Sequence, residues 1–181
     1  MLIASQLKKT NISEYLLYMW QIEDLIRALQ FDMDRINNTV ISRFEFKEDA
    51  GRKAVVDWYE SLIEMMRMEQ VMEKGHLQIN KNVISELDEL HVLLLKSGQV
   101  PAYNAKYIHV LPLINQFRRK AETGLSDIEL CFNFQYGILM LRLQKSVITP
   151  ETEKTREEIS KFMVLLAKNY HAWKNGELDL Q

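Results

Sequence analysis

Carboxylates and imidazoles are the side chains of this sequence whose spacing suggests chemistry. A helix bundle can hold two metal ions when Glu-x-x-His strings on two helices face single glutamates on two others. Glu73-Lys74-Gly75-His76 has that string, and Asp88-Glu89-Leu90-His91 nearly has it. Gly75 interrupts the first, so its ends need not share a helix face, and the second carries Asp in place of Glu. His109 and His171 stand alone and no His-x-x-x-His occurs, so no metal site is expected. Nucleophilic catalysis finds as little support. Cys131 has no local histidine and no glycine elbow, and Ser126 is better used as a helix cap. None of the six glycines falls in a GxGxxG or GxxxxGK loop, so no phosphate-bearing cofactor is implied.

Polar residues on otherwise apolar helix faces give a stronger lead: Glu23, Glu69, His76, Asn80, Gln135 and Arg142. A lone ionised carboxylate in a core is very costly, so Glu23 must be paired, protonated or opened to water. The expected partner is Arg142, across the core, with Arg27 one turn along as the fallback. Such a pair has two readings. It is either a buried ion pair that fixes which helices pack together, or part of a polar pocket for a small ligand lined by Glu23, His76, Asn80 and Arg142.

The elements that must position these residues are helices. Asn11 with Glu14 has the order of a capping box, and Ile12, Tyr15, Leu16, Met19, Ile22, Ile26 and Leu29 then fall on one arc, which predicts a helix over 11–29. A shorter helix starts at Asp32 or Asp34, and residues 44–49 read as a connection. A third runs from about Glu48 to Lys74 and stops at Gly75; a fourth runs from His76 or Leu77 to Ser97, before Gly98. Pro101 opens a fifth, with Pro112 inside it. Ser126 and Glu129 form a second capping box, for a helix to about Lys145 that is apolar on two faces and therefore expected to be enclosed by neighbours. Gly137 within it suggests a close helix crossing. Thr149-Pro150 starts a last helix to about Asn175, and residues 176–181 read as a short flexible tail. Met65, Met66, Met68 and Met72 with Trp58 read mainly as core, with Met68 off the inward arc, while Trp20 and Trp173 are placed to support a dimer.

The 181 residues are 47% hydrophobic and 27% charged, with only six Gly and three Pro, which fits long helices joined by short turns. The expected fold is all-α, a single-domain helical bundle of about six to seven helices over residues 1–175. A formal charge of −2 gives no general field for nucleic acid. The basic run Arg118-Arg119-Lys120 lies near a helix C-terminus, where cations complement the dipole. Cys131 is the only cysteine, no segment is apolar enough to span a membrane, and the start of the chain does not read as a signal peptide, so a cytoplasmic protein is expected. The functional expectation is a non-catalytic helical interaction domain with a protein partner or a second copy of itself. The alternative is a ligand or enzymatic site in the polar pocket.

The stretches MLIASQLKKTNISEYLLYMWQIEDLIRAL, KGHLQINKNV and CFNFQYGILMLRLQK resemble a family of uncharacterised proteins of Bacteroides-type bacteria, a domain of unknown function. The resemblance spans the whole chain. It implies a bacterial, cytoplasmic protein and brings no activity, cofactor or catalytic residue with it.

Overall fold

In a computed structural model, residues 2–46 and 48–180 form eight α-helices and one 3-10 turn. The helices are α1 (Leu2–Thr10), α2 (Ile12–Ala28), α3 (Met33–Thr39), α4 (Asp49–Met68), α5 (Gln78–Ser97), α6 (Pro101–Arg118), α7 (Asp127–Leu143) and α8 (Pro150–Lys174), with the 3-10 turn at Ile41–Arg43 between α3 and α4. The all-α class is the expected one. The extra element is α1, which is too short to show a full apolar period and is anchored through the buried Ala4. No helix is long and apolar enough to cross a membrane among the described residues.

Contacts gather into two compact units, one of residues up to Lys9 and Glu14–Asn82, the other of Thr10–Ser13 and the chain from Val83 on. In the first unit the predicted stripe of α2 is buried at Leu16, Met19 and Ile26, joined by Ile36, Ile41, Tyr59, Leu62 and Met66. Trp20, placed at a dimer by sequence, is instead buried. Asp32 caps α3, its side chain accepting from the amides of Asp34 and Arg35. Helix α4 stops at Met68, six residues short of the predicted end. Gln70 turns into the left-handed region at φ 56°, and the Val71 amide reaches back to the Met66 carbonyl. That is a Schellman ending with glutamine where glycine is usual, so Gly75 was not needed to stop the helix.

In the second unit α6, α7 and α8 pack on one another. Tyr103 and Ile114 of α6, Phe132 and Cys131 of α7, and Phe162 and Leu166 of α8 are buried at its core, with Leu90 and Leu94 from α5. Ser126 accepts from the Glu129 amide and Thr149 from the Thr152 amide, as the capping signals predicted. Beyond α8, Leu180 is also buried. The expected enclosure of α7 holds for its first half and, beyond it, for Ile138. Leu141 and Leu143 are exposed, and a Cβ at Gly137 would meet nothing within 4 Å, so this glycine makes no close crossing in the chain itself.

Candidate functional site

Helix α5 starts at Gln78 without Ser, Thr, Asp or Asn before it, so its first amides need acceptors from elsewhere. Two carboxylates of the first unit supply them. Glu23 Oε1 accepts from the Leu77 amide at 3.0 Å, and Glu69 Oε2 accepts from the Gln78 amide at 2.6 Å. Negative charge at a helix N-terminus also complements the dipole.

Glu23 is fully buried. Besides the Leu77 amide, Oε1 accepts from Asn80 Nδ2 at 2.7 Å, and Oε2 accepts from His76 Nδ1 at 2.6 Å. Trp20, one turn earlier on α2, lies flat on the His76 ring, with centroids 4.1 Å apart and planes within 11°. The carboxylate charge is felt nearby: burial first, then Glu23, raises the Tyr15 phenol above its ordinary value. Asn80 is buried and its Oδ1 has no hydrogen-bond partner.

Three of the four residues proposed from sequence therefore meet: Glu23, His76 and Asn80. Arg142 does not join them. It sits at the half-exposed end of α7 and bonds Glu153 Oε1 at 2.7 Å, an oxygen that also accepts from Arg156 Nε at 2.7 Å. The expected Glu23–Arg142 pair is thus overturned, because arginine at that position reaches the surface more cheaply than the core. The fallback fails as well. Arg27 bonds Asp24 at 2.7 Å and donates to the backbone carbonyls of Val71, at 3.0 Å, and Gly75. Gln135 donates to the Arg156 carbonyl at 2.9 Å.

Chemically, the carboxylate fixes the His76 ring with Nδ1–H inward and leaves Nε2 as the outward nitrogen, on a side chain 28% exposed. That is one part of a general base. The groups that hold His76 are a stacked indole and a carboxylate already occupied by three donors, so the arrangement orients and seals more than it activates. Among the described residues no three metal-ligating side chains converge.

A second polar group lies in the other unit. The His91 ring shares a 2.6 Å hydrogen bond with the Tyr103 hydroxyl, and burial holds the imidazole below its usual pKa. Tyr107 donates to Asp127 Oδ2 at 2.6 Å, and Arg118 pairs with the other oxygen of Asp127. Burial, with Glu129 and Asp127 nearby, pushes Asp88 up to about 6 against a hydrogen bond from Ser126. The sequence missed these partnerships because each joins residues from different helices, and the near-match Asp88-Glu89-Leu90-His91 is broken up between them. What it missed at Glu23 had a visible signal: a helix start with no cap of its own.

A family model described as a domain of unknown function, DUF4924, matches residues 1–177. No curated protein and no solved structure matches the chain.

Proposed function

The chain belongs to the DUF4924 family, whose description carries no activity, and from that premise we propose that it is a helical interaction domain that pairs with a second copy of itself through the C-terminal half of α7. One observation carries this. From Leu130 to Leu141 the chain has no charged residue, yet beyond Phe132 the helix is only partly covered. Leu141 is 39% and Leu143 63% exposed, with Tyr136 and Met140 half-buried beside them. A helix that is apolar all round belongs among neighbours, and this half lacks one.

A second copy suits the face better than an unrelated partner. In a two-fold contact the same patch of each copy meets the other, so a face without charge avoids repulsion between like groups. Open space at Gly137 lets two backbones approach closely, and Leu141, one turn on, lies on the same side. A bacterial cytoplasmic setting belongs to this reading, supported by the family resemblance and by a lone, buried Cys131 that forms no disulfide.

Sedimentation across a concentration series tests it. The parent is expected to shift from monomer to dimer in the micromolar range, corresponding to about −8 kcal/mol. Leu141→Glu should remain monomeric, with unfolding within about 0.5 kcal/mol of the parent monomer, since the residue is exposed. A parent still monomeric at roughly 100 μM, a Kd weaker than about −5.5 kcal/mol, sinks the proposal.

A further inference from the structure

Residues 44–49 read from sequence as a connection, yet they open with two phenylalanines flanking a glutamate: Phe44, Glu45 and Phe46. In the structure these three residues line a half-open cavity of about 150 Å³ together with side chains of α1, α2 and α4. Among the described residues the walls are the rings of Phe44, Phe46, Tyr18, Trp58 and Tyr59 with the aliphatic side chains of Ile3 and Val55, and Glu45 is the charged one. The rings stand at steep angles to one another. Phe44 and Phe46 are tilted by 52° with centroids 6.1 Å apart, and Trp58 meets Tyr59 edge-on at 73° and 5.1 Å.

We propose that this aromatic cavity is a binding site for a methylated ammonium group, held by the five rings with Glu45 as its counter-charge. Ring faces carry negative quadrupole density and attract a cation, most strongly when it is stripped of water. An unmodified ammonium would lose its hydrogen bonds to water on entering walls made mainly of ring carbon. A methylated one has few to lose, so the site favours it. The size is suitable: an apolar cavity of similar volume takes a molecule as large as benzene. Glu45 is exposed, and its carboxylate adds a charge that a purely apolar ligand would not need. Tyr18 and Tyr59 are held as neutral phenols, both raised above the ordinary tyrosine value by burial. Among the described residues the cation–ring contacts lie elsewhere, with Lys8 over Tyr15 and Lys174 over Tyr170 and Trp173. The site lies wholly within the first unit and does not depend on self-association.

The group has two sources, a free small molecule such as choline or a trimethylated lysine side chain of a protein. Both are titrated into the full-length protein, alongside 3,3-dimethylbutan-1-ol, the uncharged isostere of choline, with the Trp58 indole N–H followed by two-dimensional NMR. Saturable shifts at Trp58 are expected, with a Kd of about 1 mM or tighter for at least one cation, and the neutral isostere binding at least ~10-fold more weakly. The tighter of choline and N-acetyl-trimethyllysine amide identifies the source. Glu45→Gln, a surface change that leaves the fold intact, should weaken the cation about 3-fold or more, and Trp58→Leu should abolish the binding seen by calorimetry. The proposal is overturned if the isostere binds as tightly as the cations. It is equally overturned if neither cation moves Trp58 at up to about 50 mM, or if Glu45→Gln leaves the affinity unchanged.

Discussion

Glu23 shows how a buried carboxylate can be satisfied without a permanent cation. All three of its donors come from one short segment, His76 to Asn80, and two of them are neutral. Glu23→Gln keeps the shape but turns one oxygen into an amide that faces donors, so a destabilisation of about 3 kcal/mol is expected in chemical denaturation. A midpoint equal to the parent's would show that the carboxylate charge is not needed there. The need for a partner was legible in the sequence, since Glu23 lies on an apolar arc. The pocket reading named His76 and Asn80 beside it, whereas the ion-pair reading followed charge complementarity to Arg142 and Arg27, and the third donor, the Leu77 backbone amide, leaves no mark in any charge pattern. Asp88 gives a second expectation. Its folded pKa, about 6, lies above the ordinary carboxylate value through burial first, with Glu129 and Asp127 adding to it. Relative to the unfolded chain its contribution is therefore fully present below the ordinary value and lost as pH rises through about 6. His91, held low by burial, acts in the opposite sense and loses stability as pH falls. Asp88→Asn should accordingly gain on the parent between pH 4 and 7 in a series of urea melts, and a constant difference across that range would exclude the linkage.

Helix starts were easier to read than helix ends. Asp32, Ser126 and Thr149 cap as their residue types dictate, and Pro101 and Pro150 stand in the first turn. The end placed well off is that of α4, where, as at the ends of α2 and α7, the chain turns left-handed without glycine. Gln30, Gln70 and Lys145 have φ of 58°, 56° and 56°, and in each case the next amide reaches back to a carbonyl of the last turn: Phe31 to Ile26, Val71 to Met66, Ser146 to Leu141. A side chain at such a position is strained by about 1 kcal/mol relative to glycine, so the sequence gives no sign of the stop. Gln70→Gly should raise the unfolding free energy by about 1 kcal/mol with the structure otherwise unchanged. No gain, or a loss, would mean that Gln70 makes a contact worth as much as the strain. The burial of α7 was the other misjudgement at this scale. Its pattern predicts neighbours on every side and is silent on whether they belong to the same chain.

At the scale of the molecule, the all-helical class followed from sparse glycine and proline and from long amphipathic periods, whereas the division into two compact units had no sequence mark. The boundaries fall inside helices α1, α2 and α5 and not in a linker, so no shift of composition announces them. If α7 is a self-association face, the melting temperature should rise with protein concentration, because dimerisation stabilises only the folded form. A melt independent of concentration over a hundredfold range would argue for a monomer. One further consequence follows from the start of α5. Its first turn is capped by Glu23 and Glu69 and has no cap of its own, and the Leu77 amide reaches across 54 residues to Glu23. The Glu69 half of this cap is nearly local, whereas the Glu23 half must await the docking of α2 and so belongs late on the folding pathway. In hydrogen exchange the amide of Leu77 should open with the α2 contact and not with the middle of its own helix, making this seam a place where the native state loosens before that helix does.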